Sequence, residues 1–184
     1  LLVSVGGEVV VKKGYGLADR EAGVPVATDT VFTIGSITKQ FTGAGIMKLV
    51  EEGELKVTDR ITKFFDGVPR DKRKITVHHL LTHTAGLRDG FGNDEDPMER
   101  DELMRLILES PLKRPIGQRY MYTNAGYSML GAIIEKVSGM GYEAYLRDRF
   151  FDPLGMDDTG YVLPRFDKSR LAVGYAGNGR PGGT

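Results

Sequence analysis

Ser36-Ile37-Thr38-Lys39 sets a hydroxyl and an amine three residues apart. On a helix that spacing puts both side chains on one face. A serine at a helix start also meets free N–H groups and the positive end of the dipole, which favour developing negative charge. A hydroxyl, an adjacent base and donors for an oxyanion are what nucleophilic acyl chemistry requires. The pattern is short, and Ser110-Pro111-Leu112-Lys113 repeats it with no function assigned. The plainer reading of Ser36 is a helix N-cap with a solvated lysine beside it. Context favours chemistry: an apolar run at 31–34, then Gly35, then a strongly apolar helix predict a strand-to-helix junction at Ser36. Tyr122-Thr123-Asn124 is the second candidate, the one Tyr-x-Asn in the chain. Read alone, Asn124 is an N-cap and Tyr122 a core or staple aromatic.

The elements that must position these groups follow from periodicity. Residues 1–5 and 8–11 are apolar runs joined by Gly6-Gly7, which reads as a hairpin. The second strand is expected to continue toward residues 15–18, with a polar turn over 19–29. Ile37, Phe41, Ala44 and Leu49 form a helical stripe, and Gly53 stops it. A short helix is expected over 61–65. Thr76 caps another through 77–82, ended by Gly86. Residues 87–96 read as an acidic loop, with Asp94-Glu95-Asp96 solvated. Asp96 and Pro97 then open a helix bearing Leu103, Leu106 and Ile107. Leu130, Ile133, Ile134 and Val137 mark a helix closed by Gly139, and a last short helix spans 142–151. Strands first and helices after them argue for an α+β fold.

Composition removes several classes of function. The 184 residues carry 25 basic and 25 acidic side chains, a formal net charge of 0, so no nucleic-acid partner held by bulk charge is expected. Cysteine is absent, which excludes disulfides, zinc–thiolate sites and thiol catalysis. No apolar run approaches a transmembrane length. Glycine numbers 25, about twice the ordinary ~7%, and its scatter implies tight turns. His78, His79 and His83 raise a metal, and His79 and His83 stand at i, i+4. Leu80 occupies the place where such a helix needs Glu, and no third ligand is evident, so neither metal nor cofactor is assigned. The chain opens at Leu1 inside an apolar stretch without an initiator Met and ends in a turn-rich tail, so a piece of a longer protein is expected and the compartment is left open.

Taken together, the Ser-x-x-Lys and Tyr-x-Asn motifs resemble the serine β-lactamase and penicillin-binding-protein superfamily. The resemblance is to its class C β-lactamase-like branch, with DD-peptidase, D-aminopeptidase and family VIII carboxylesterase relatives. Gly14-Tyr15-Gly16-Leu17-Ala18-Asp19, the stretch ITVHHLLTHTAGL at 75–87, YTNAG at 122–126 and Asp152-Pro153-Leu154-Gly155-Met156 all look like that branch. The family's Pro-Gly before its tyrosine is Ile116-Gly117 here, with Pro115 shifted by one, and the turn is expected to re-form. The family's third motif, Lys-Thr-Gly or His-x-Gly, does not occur in these residues and is expected beyond Thr184.

The resemblance implies a β-lactamase/DD-peptidase-like fold, an antiparallel sheet flanked by helices plus a mainly helical region, with the C-terminal strands missing from this chain. It implies residues 1–58 as the first part of the sheet domain with the nucleophile helix, 59–165 as a mainly helical domain, and 166–184 as a connection toward the C-terminal half, which is needed to complete the site. Ser36 is the implied nucleophile that forms an acyl-enzyme. Lys39 and Tyr122 share the proton handling, Asn124 holds Lys39 and the substrate, and His83 is structural. Neutralising a free lysine of pKa ~10.4 at pH 7 costs about 4.6 kcal/mol, and ionising a free tyrosine about 4 kcal/mol. Two such groups in contact titrate as a pair, so neither is singled out as the base. Tyr120, Tyr127 and Phe91 stand evenly between cleft and core. The expected activity is a serine hydrolase on small ester, amide or β-lactam carbonyls: esterase or amidase first, D-amino-acid or DD-peptidase second, β-lactamase third. The alternative is a non-catalytic scaffold that binds or assembles without turnover.

Overall fold

Gly6 and Gly7 both take positive φ, 60° and 89°, as a two-residue hairpin turn demands. They close β1 (Leu2–Val5) against β2 (Glu8–Lys12) in an antiparallel pair, with Leu2 opposite Lys12 and Val5 opposite Glu8. In this computed structural model, residues 1–91, 98–161 and 167–175 are described. They divide into two units, 1–35 with 156–184, and 36–155.

The first unit holds the strands. β2 does not run on toward residues 15–18. It stops at Lys12, and β3 (Leu17–Asp19) pairs instead with β4 (Val24–Pro25). Glycines make the turn between β2 and β3 possible. A Cβ on Gly14 would stand 1.9 Å from the Val26 carbonyl oxygen, and Gly16 turns the chain at φ 78°. The apolar run at 31–34 is not a strand either. Among the described residues Val31 makes one parallel bridge, to Leu171, and Phe32 and Ile34 are exposed. The expected strand-to-helix junction is therefore an extended segment leading into a tight turn.

The second unit is helical and carries the candidate chemistry. A 3₁₀ turn at Gly35–Ile37 runs into α1 (Thr38–Glu51). The buried face of α1 is Thr42, Gly45, Ile46 and Leu49, whereas Ile37 is exposed. Relative to the expected stripe, Phe41 and Ala44 give way to the next residues, a rotation of about 100°. Gly45 explains it. A Cβ there would lie 3.0 Å from Ile134 Cδ1 and 3.2 Å from Leu146 Cδ2, so the smallest residue sits where two other helices press closest. Those are α4 (Asn124–Ser138) and α5 (Tyr142–Leu146). Between them in sequence come α2 (Val77–Leu81) and α3 (Arg100–Glu109).

Helix ends follow sequence chemistry. Thr76 accepts the His79 N–H, while the His79 ring receives the Thr76 N–H, a reciprocal cap on α2. Gly139 closes α4 at φ 69°. The expected cap at Asp96 and Pro97, and the acidic run Asp94-Glu95-Asp96, lie outside the described residues; the described helix begins at Arg100 with Glu99 as N-cap. The core of this unit joins Ile46, Leu49, Leu80, Met129, Leu130, Ile133, Ile134 and Leu146, all at most 2% exposed. Each such side chain contributes roughly 1.5–3 kcal/mol by leaving water. That core fixes the starts of α1 and α4 relative to each other. No helix among the described residues is long and apolar enough to cross a membrane.

Candidate active site

The starts of α1 and α4, with the turns that lead into them, bring Ser36, Lys39, Tyr122 and Asn124 together. Ser36 Oγ lies 2.7 Å from the Tyr122 hydroxyl, and Lys39 Nζ donates to Ser36 Oγ at 3.3 Å. Lys39 Nζ also donates to Asn124 Oδ1 at 2.8 Å and sits 4.8 Å from the Tyr122 ring centre. The 3₁₀ turn aims Ser36 along the helix face it shares with Lys39. Ser36 is not an N-cap: Ile37 occupies that position and makes no side-chain cap bond.

Asn124 is free for Lys39 because its neighbour takes the capping task. Thr123 is in the extended region and accepts the Gly126 N–H at 3.0 Å, so the N-cap of α4 is Thr123 rather than Asn124. Asn124 is then the first helical residue, and its amide oxygen points to the amine. The other Ser-x-x-Lys has a different fate. Ser110 is buried and donates to the Ile107 carbonyl at 2.9 Å, closing the end of α3.

The Lys39 cation first, and the Ser36 hydroxyl second, hold the Tyr122 phenol below its ordinary value. Tyr127 goes the other way, raised chiefly by burial, and its hydroxyl donates to the Leu81 carbonyl at 3.1 Å. Of the three aromatics left open by sequence, Tyr127 is thus half-buried packing. Tyr120 is exposed, and Phe91 lies under the Arg88 guanidinium.

Two residues of the 83–89 turn hold the Tyr122 segment. His83 packs its ring 4.6 Å from that of Tyr122 and 4.9 Å from that of Tyr127. Asp89 was not legible as part of the site. Its two carboxylate oxygens accept the N–H groups of Asn124 at 3.0 Å and Ala125 at 3.2 Å, a negative charge on the N-terminus of α4. An Asp before Gly90 signals a turn, and nothing in the local pattern links it to a helix start far along the chain. Gly86 serves the same turn. It has φ 71°, and a Cβ would lie 2.1 Å from the Arg114 carbonyl oxygen. Gly117, of the shifted Pro-Gly, does form a turn at φ 77°, with its N–H on the Thr84 carbonyl at 2.8 Å.

A family model described as beta-lactamase matches residues 1–184. The chain is 33% identical over 194 residues to esterase EstB of Burkholderia gladioli, an alignment covering 95% of this chain and 49% of that protein. The octameric penicillin-binding protein homologue from Pyrococcus abyssi superposes with a TM-score of 0.80 at 36% identity, over 96% of this chain and 44% of the other. A D-alanine carboxypeptidase from Burkholderia cenocepacia gives a TM-score of 0.83 at 27% identity, over 97% and 48%. The chain therefore shares their α+β fold and spans about half the length of the relatives it matches.

Proposed function

The chain belongs to the beta-lactamase family, and from that premise we propose that it carries the nucleophile half of a serine hydrolase acting through an acyl-enzyme on small ester, amide or β-lactam carbonyls. The observation that carries this reading is the contact of one hydroxyl with two proton-handling groups: Ser36 Oγ at 2.7 Å from the Tyr122 phenol and 3.3 Å from the Lys39 amine.

In the proposed reaction Ser36 Oγ attacks the carbonyl carbon while its proton passes to the Tyr122–Lys39 pair. The pair acts as one coupled unit. The carbonyl oxygen, now negative, takes the Ser36 backbone N–H as one donor. The second donor belongs to the strand of the third motif, which the proposal places beyond these 184 residues. The pair returns the proton to the leaving group, the acyl group stays on Oγ, and water releases it by the reverse sequence. Asn124 accepts from Lys39 through Oδ1, which leaves its amide N–H groups for the acyl-amide oxygen of a substrate. Ester and amide substrates rank first, esters leading because a 33% identical relative is named an esterase.

The test is to treat the full-length protein with a fluorophosphonate, or with a penicillin, and map the adduct by mass spectrometry. The expected result is a single adduct on Ser36 that disappears in Ser36→Ala. Labelling that survives this substitution refutes the proposal. Saturable ligand binding with no adduct supports a non-catalytic scaffold instead.

A further inference from the structure

His83 holds a backbone conformation that side chains other than glycine seldom take, with φ 55°. Such a conformation is strained and persists where surrounding contacts demand it. The contacts here bracket Tyr122. The His83 carbonyl accepts the Met121 N–H at 2.7 Å, and His83 Nδ1 accepts the Thr123 N–H at 3.3 Å. One residue thus grips the chain on both sides of the phenol that meets Ser36. The imidazole also lies against that phenol's ring, with centres 4.6 Å apart and planes inclined by 34°.

The Thr123 bond calls for one protonation state. A backbone N–H can only donate, so this contact needs an Nδ1 without a proton, as in the neutral Nε2–H form. A proton arriving at Nδ1 would turn the acceptor into a donor facing a donor. It would also add a second positive charge near Lys39. The groups that face this ring are Lys39 from α1, Asp89 from the following loop, Tyr120 and Tyr122 from the segment before α4, and Tyr127 from α4.

We propose that His83 is a positioning residue for Tyr122 and a proton-operated gate on Ser36. The neutral ring docks residues 121–123 so that the phenol reaches the serine; protonation undocks them and stops acylation on the acid side. This rests on the serine-hydrolase reading above. Burial first, and Lys39 second, hold the imidazole below its ordinary value against an opposing pull from Asp89, which keeps the gate open at neutral pH.

The experiment uses the full-length protein and its His83→Asn variant. Asparagine tolerates this backbone conformation, and its amide oxygen accepts the Thr123 N–H without titrating. Ser36 labelling by a fluorophosphonate is followed from pH 5 to 9, and the imidazole nitrogens and Tyr122 ring are followed by NMR over the same range. In the wild type, labelling is expected to fall roughly tenfold per pH unit below a midpoint under ~6.5. Tyr122 ring signals are expected to shift with the same midpoint, with Nδ1 unprotonated above it. In His83→Asn the part of the acid limb that shares the His83 midpoint is expected to vanish. An acid limb unchanged in His83→Asn, a proton on Nδ1 at neutral pH, or Tyr122 signals blind to the His83 titration each overturn the proposal. A wild type that never labels at Ser36 refutes the hydrolase reading and the gate on acylation together, and the NMR arm then decides the docking by itself.

Discussion

Replacing Tyr122 by Phe removes one oxygen and leaves the ring. Ser36 Oγ loses its 2.7 Å partner and keeps Lys39 Nζ at 3.3 Å. A positioned proton acceptor typically supplies 10²–10⁴-fold, equivalent to about 3–5 kcal/mol of barrier. Lys39 remains within reach as a substitute, so the expected loss lies near the middle, on the order of 10³-fold in the acylation rate. Stability should barely move. Tyr122 is 43% exposed, and its ring keeps the His83 contact. One surface hydrogen bond to Ser36 then costs about 1 kcal/mol or less. The assay is the second-order rate of fluorophosphonate labelling at Ser36 by intact-protein mass, measured with a urea midpoint on the same samples. Labelling within about threefold of wild type at an unchanged midpoint refutes the assignment of proton handling to the pair. A large loss of midpoint alongside the rate shows Tyr122 to be a packing residue.

Other consequences are as direct. Gly43→Ala should raise stability by up to about 1 kcal/mol through helix propensity, because a Cβ there meets only Leu81 Cδ2 at 4.0 Å. Gly45→Ala should lower it, since overpacking of about 1–3 kcal/mol against Ile134 and Leu146 offsets that gain; urea titration of the pair gives the two signs. Asp89→Asn withdraws a charged acceptor from the first N–H groups of α4 and should cost about 1 kcal/mol, with slower Ser36 labelling as Asn124 loosens; wild-type labelling in a destabilised variant contradicts the link. His79 and His83 are both held below their ordinary value, mainly by burial. The unfolded chain therefore takes up these protons first, so stability should be complete above the unfolded pKa of ~6.5 and fall as pH drops below it. Denaturation midpoints that stay flat between pH 7.5 and 5.5 would contradict this.

What was legible in the sequence was what depends on neighbours along the chain. The Gly6-Gly7 hairpin, the Thr76 cap, the Gly139 stop and the apolar face of α4 are local decisions, and each is present. What was misread depends on partners elsewhere. Hydropathy alone sets the α1 stripe on Phe41 and Ala44, whereas Gly45 marks where other helices come closest, a cue that counts as apolar only through what it lacks. Residues 31–34 have strand composition but, among the described residues, find one bridge, at Val31. Ser36, Lys39, Tyr122 and Asn124 could be singled out as residue types at telling spacings. Their convergence could not be computed from spacing, and neither could Asp89, whose bonds to Asn124 and Ala125 are made across the fold.

The division of labour at the start of α4 shows why the motif has three residues rather than two. An Asn at a helix start is ordinarily consumed by its own backbone, because its side-chain oxygen is the nearest acceptor for free N–H groups. Here Thr123 takes the Gly126 N–H and Asp89 takes those of Asn124 and Ala125. Two other residues thus satisfy the helix end, and the Asn124 oxygen is left to face Lys39 at 2.8 Å. The middle residue of Tyr-x-Asn is therefore not a spacer. A valine at 123 would match the threonine in shape but offer no acceptor, and the freed Gly126 N–H would compete with Lys39 for Asn124. Thr123→Val should accordingly lower the midpoint by about 1 kcal/mol and slow Ser36 labelling beyond what that loss of fold explains, while Thr123→Ser restores both. If Thr123→Val labels at the wild-type rate per folded molecule, Asn124 holds its place without help and the division of labour is wrong.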